Sequence, residues 1–168
     1  MKTRLGHCCL LAAATLALVT PAGAADFRAL DFGAPCDAIH AFEASLGSAP
    51  LPAEAMPGGE LVGFRGQAFG REVSIVYLCV KGRLVAGRYV FPPEAFERVV
   101  TSYGEVRSAL AAVYGDPFMD TTPPADDPDP IKYAAAWKTP RLRISLSLLP
   151  QRGASPPDWQ LFVMASGS

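Results

Sequence analysis

In the stretch CDAIH, Cys36 and His40 stand four residues apart, so on a helix both side chains share one face. That pairing suits a thiolate with its general base, or two ligands of a metal. A second thiol competes for Cys36: Cys79 lies in REVSIVYLCV, where alternate residues form an apolar face. A Cys36–Cys79 disulfide between helix and strand accounts for both cysteines with no further assumption. A Cys36–His40 dyad needs a free thiol, and a pair of buried unbonded thiols is the remaining choice. Beside a disulfide, His40 becomes a helix-surface residue between Asp37 and Glu43, three positions away on either side.

Other chemistry finds little support. The chain contains no Gly-x-Ser-x-Gly elbow, no Ser-x-x-Lys and no Gly-rich phosphate loop ending in Lys-Ser/Thr. Apart from His7 near the start, His40 is the only histidine, too few for a Cys/His zinc site. Glu54, Glu60, Glu72, Glu94, Glu97 and Glu105 occur singly, with no spacing that selects two as a glycosidase pair. Asp116, Asp120, Asp126, Asp127 and Asp129 could offer oxygens to Ca²⁺, but they match no EF-hand spacing. Pro123, Pro124, Pro128 and Pro130 make that segment read as a stiff acidic connector. The expectation is a chain that is not an enzyme, with no cofactor and no metal site.

The first residues indicate export. Lys2 and Arg4 precede an apolar run from about Cys8 to Val19, and Ala22-Gly23-Ala24 fits the small-x-small rule, placing cleavage after Ala24. The run is shorter than the roughly 20 residues that span a bilayer, so no membrane span is expected after cleavage. Cys8 and Cys9 would leave with the signal, and so would Lys2 and Arg4. The mature chain would then carry 13 basic against 16 acidic residues, a net −3, which provides no electrostatic footprint for nucleic acid. Residues 25–168 suit one domain, in the periplasm or secreted, where an even cysteine count favours a disulfide.

The elements that must position these residues follow from periodicity. Residues 34–47 read as a helix, with Pro35 in its first turn, Gly47 beyond its end, and a stripe of Cys36, Ile39, Phe42 and Leu46. Three strands follow, ELVGFRGQAF, REVSIVYLCV and RLVAGRYVF; the middle one is apolar on both faces and belongs inside a sheet. Lys81-Gly82 turns the second into the third. From Pro92 to Gly115 a long helix shows Phe96, Val99, Tyr103, Val106, Leu110 and Val113 on one face. Three more strands are IKYAAAWK, RLRISLSLL and DWQLFVMA. The expected fold is α+β: an antiparallel sheet of about six strands packed by two helices, in the order αβββαβββ. The glycines that close the two helices, Gly47 and Gly115, lie 68 residues apart, and this spacing suggests an internal duplication.

A helix closing in Leu/Tyr-Gly-x-Pro, a polar connector, and then antiparallel strands resembles the exported modules of the SmpA/OmlA outer-membrane lipoprotein family and the tandem-repeat β-lactamase-inhibitor protein fold. The resemblance runs over residues 34–47 with 59–91 and 93–117 with 131–164; the lipoprotein cysteine of the first family is missing here. It implies a non-enzymatic protein that binds another envelope or secreted protein. On RLRISLSLL the Leu/Ile side belongs to the core, which leaves Arg141, Arg143, Ser145 and Ser147 as a row on the second face. Arg141 and Arg143, with Trp137 as the aromatic anchor, are the expected contact residues of a protein-binding module. The alternative is a small-molecule or lipid carrier using a sheet–helix cleft, which requires a closed apolar cavity of at least ~300 Å³. An enzyme of unknown type stands third.

Overall fold

The computed structural model describes residues 27–124, 133–151 and 157–168. The expected signal segment 1–24 and the connector residues Asp126, Asp127 and Asp129 lie outside them. In chain order the elements are α1 (Asp37–Ser45), β1 (Ala49–Pro50), β2 (Glu54–Met56), β3 (Gly59–Ala68), β4 (Arg71–Val80), β5 (Arg83–Val90), α2 (Phe96–Tyr114), β6 (Met119–Asp120), β7 (Ala134–Lys138), β8 (Leu142–Pro150) and β9 (Trp159–Gly167). Among the described residues the fold is α+β with two helices, as expected, but the antiparallel sheet has nine strands rather than six. The six long strands are those read from the sequence. The additional three, β1, β2 and β6, span only two or three residues each, too few to show a period.

The strand order is β1-β3-β4-β5-β9-β8-β7-β6, with β2 also on β3. The order is symmetric about the β5–β9 seam. Each half consists of a helix, short edge strands (β1 and β2 in the first, β6 in the second) and a three-stranded meander, and the third strands of the two meanders pair antiparallel, Ala86 to Val90 against Ser166 to Phe162. Local chemistry makes the hairpins tight. Phe69-Gly70 and Lys81-Gly82 are two-residue turns in which all four residues have positive φ, the backbone form that follows the twist of the strands.

One face of the sheet carries the core. Phe64, Ile75, Tyr77, Leu146 and Leu161 are fully buried there, and both helices cover that face. Helix α2 lays Val99, Tyr103, Val106 and Leu110 on it, each side chain stabilising by about 1.5–3 kcal/mol when buried. Val113, expected on the same stripe, is instead exposed, and its neighbour Tyr114 packs against the core at that turn. Helix α1 departs further from the sequence pattern. Its buried residues are Ile39 and Glu43, with Cys36 at its start, while Leu46 points to solvent. A carboxylate therefore replaces a leucine in the core stripe, and its partners come from other parts of the chain.

Candidate functional site

Two polar arrangements stand out. The first surrounds Glu43. Arg28 donates from Nε to Glu43 Oε1 at 2.7 Å and from Nη2 to Oε2 at 3.2 Å, and the Tyr77 hydroxyl donates to the same carboxylate. The Arg28 guanidinium also reaches the Gln67 carbonyl at 2.8 Å. Burial opposes the charge on Arg28, but the adjacent Glu43 carboxylate overcomes this and raises its pKa. Burial first, and then the Glu43 carboxylate, push the Tyr77 phenol well above its usual range. The backbone is shaped around this network. Phe27 to Leu30 is a two-residue turn with Arg28 and Ala29 both at positive φ. A Cβ on Gly66 would come within 2.7 Å of Ser48 Oγ and 3.4 Å of Arg28 Nη2. Every donor and acceptor here is engaged, so the network fastens α1 and the Phe27 turn to the sheet.

The cysteines belong to the same fastening. Cys36 and Cys79 are bonded, with Cα atoms 6.2 Å apart, and both are buried. Cys36 therefore has no thiolate to offer His40. His40 is on the exposed side of α1, edge-on to Phe64 at 5.3 Å between ring centroids. Of the described aspartates in the acidic connector, Asp120 is taken by Arg107 of α2. Among the described residues no three of His, Cys, Asp and Glu gather as metal ligands.

The second arrangement is the face of the sheet that no helix covers. Strand alternation decides what it carries: Val76 and Leu78 from β4, Ala86 and Arg88 from β5, Phe162 and Met164 from β9, and Arg143 and Ser145 from β8. Two shallow depressions lie side by side on it. One, about 170 Å³, is lined by Met56, Leu61, Val76, Leu78, Arg88 and Met164. The other, about 400 Å³, is lined by Phe118, Ala136, Lys138, Arg143, Ser145 and Met164. Met164 borders both, so they form one groove across the strands. Beyond Met1 the chain has three methionines, and all lie on this side with their side chains accessible: Met56 at 40 %, Met119 at 45 % and Met164 at 47 %. Phe118 at the far end is 68 % exposed. Arg88 lies over the Phe162 ring, 5.9 Å from its centroid.

The expected contact residues are divided by this geometry. Arg143 is on the open face, as its alternation indicates. Arg141 is ion-paired with Asp31 at 3.0 Å, at the end of β8. Trp137 is 1 % exposed, and its indole donates to the Gly115 carbonyl at 2.8 Å. It borders the larger depression, but it pairs with the buried Ile144 and its indole is turned to the end of α2, so it offers a partner almost no surface as an aromatic anchor. In IKYAAAWK, alanines occupy both faces, and the pattern holds no information on which way the tryptophan points. The residues that the pattern did not single out are Met56, Phe118, Met119 and Met164. In DWQLFVMA the alternation of Trp159, Leu161 and Val163 against Phe162 and Met164 already shows an apolar second face. Comparison with family models, curated proteins and solved structures finds no match to this chain.

Proposed function

We propose that this chain is an exported, non-catalytic binding module that holds another envelope or secreted protein on the uncovered face of its sheet. The observation that supports this most is the groove that meets at Met164: two accessible methionines, Met56 and Met164, and the exposed Phe118 line it, where a monomer gains nothing from placing them. Methionine is flexible and polarisable, and it is over-used on surfaces that must adapt to a partner. The disulfide fits an oxidising compartment, consistent with a cleaved signal over residues 1–24. The symmetric sheet order supports an internal duplication, and with it the likeness to tandem αβββ modules.

The carrier reading fares less well. Two crevices lie between α2 and the sheet: one of about 170 Å³ lined by Phe27, Phe69, Tyr89 and Tyr114 among others, and one of about 270 Å³ lined by Phe91, Val99, Ser102 and Leu161 among others. A ligand pocket begins at roughly 300 Å³.

A photo-cross-linking amino acid at Met164 or Phe118 should trap a distinct protein in the native envelope, and the same group at His40 or Val113 on the helix side should not. Adducts only from the helix side, or none from either, would overturn the docking reading.

A further inference from the structure

We infer that the element docked on this face is an amphipathic helix with acidic flanks, an inference that rests on the docking reading and specifies its partner. The lining of the groove includes the cations Arg88, Lys138 and Arg143 and no carboxylate. None of the three has an ion-pair partner among the described residues. Glu54 shares the face but lies on β2 at its edge, and Glu72 is matched with Arg65 at 3.6 Å. Met164 pairs across the strands with Arg88 on one side and Ser145 on the other, and Arg143 pairs with Lys138 one step along. From strand spacing and rise, Arg88 and Arg143 stand about 12 Å apart with Met164 between them. Carboxylates two turns apart on a helix are separated by about 10.5 Å, with an apolar residue between them on the same face.

The sheet edges argue for a helix over an extended strand. β1 and β2 line one edge and β6 the other, each only two or three residues long, and Pro50, Pro52 and Pro57 interrupt the first, so strand addition finds only short, broken ladders. A segment lying on a sheet face must satisfy its own backbone groups, and a helix does so internally. A second copy of this chain is disfavoured, because face-to-face stacking sets like charges together. Phosphate polymers call for a dense basic stripe, whereas here three cations are interleaved with methionines on a chain of net charge −1.

The test uses ¹³C-methyl-methionine protein purified from an exporting host, with Met56, Met119 and Met164 assigned by Met→Leu substitution. The probes are two synthetic helices with the same Leu/Phe face, one flanked by Glu two turns apart and one by Lys, and a 20-base-pair DNA duplex. The expected result is that the Glu helix shifts the Met164 methyl signal with at least tenfold tighter affinity than the Lys helix. Arg143→Ala, with an unchanged thermal midpoint, should weaken it by about tenfold, and Lys138→Ala serves as a second variant. Equal binding of both helices would overturn the acidic preference while leaving face docking intact. A shift with the duplex alone would assign the face to phosphate. No shift with any probe, alongside envelope cross-links at Met164, would overturn the helix and spare the docking surface; without those cross-links both fail.

Discussion

Glu43 is the residue on which the first half of the molecule turns. Its carboxylate is fully buried and gripped by Arg28 and Tyr77, so removing it strands a largely buried guanidinium. Glu43→Leu should cost roughly 3–5 kcal/mol in chemical denaturation. The double change Arg28→Met, Glu43→Leu should cost markedly less, since an apolar pair of similar volume leaves no orphaned charge. A loss in the double variant equal to that of the single would show that packing, not the charge, is what the site supplies. The same network sets an alkaline limit. Burial raises the phenols of Tyr77, Tyr89 and Tyr103 above their ordinary value of 10.0. The folded state then holds protons that the unfolded state releases. Stability is complete below about pH 10 and falls as pH rises beyond it. Denaturation midpoints between pH 8 and 11.5 should show that fall, and Tyr77→Phe should make it shallower. A flat profile over that range would contradict the burial of all three phenols.

At the scale of elements, the two helices are secured by different means. α2 has 19 residues and a full apolar face, while α1 has nine and would be marginal alone. The Cys36–Cys79 bond bridges 43 positions and should contribute about 4 kcal/mol. Reduction should therefore lower stability by that order and release the α1 amides to hydrogen exchange before those of β4. Simultaneous exchange of both would mean that α1 does not depend on the bond. The glycines separate in the same way. Gly104 is exposed in mid-helix, and an added Cβ meets nothing within 4 Å, so Gly104→Ala should stabilise by about 1 kcal/mol. At Gly87 that Cβ would lie 2.1 Å from Phe27 Cδ1, and Gly87→Ala should expel the ring and destabilise by more than 2 kcal/mol, roughly the cost of an overpacked core. A thermal scan of the two alanine variants checks both signs. The sequence pattern carried the helices and the six long strands, because each is long enough for a period to show. It placed the Arg143 row on the open face for the same reason. It missed Glu43 because Arg28 and Tyr77, 15 and 34 positions away, are what make a buried carboxylate tolerable there. It misplaced Trp137 because small residues flank that ring on both faces.

The whole molecule is two αβββ halves sharing one sheet. Besides the β5–β9 ladder, the segment after Phe27 crosses between them. Gly33 donates to the Leu84 carbonyl in the first half at 2.7 Å, while Asp31 meets Arg141 in the second. Neither half has a finished edge of its own, since β5 and β9 are flanked on both sides only when they meet. Cutting the chain after Phe91 would leave β5 with a free ladder and a row of unpaired amides, an invitation to pair with another copy. The pairing at the seam joins topologically equivalent strands antiparallel, so β5 of one copy can take the place of β9 for another. A fragment ending at Phe91 should accordingly be dimeric or aggregated in light scattering, and co-expression with the remainder should restore a one-to-one complex. A fragment that stays monomeric, with the cooperative unfolding of an intact domain, would show that the seam is an interface between two self-sufficient units. In that case the groove at Met164, which takes Arg88 from one half and Arg143 from the other, would depend on how two separate bodies meet rather than on a single rigid sheet.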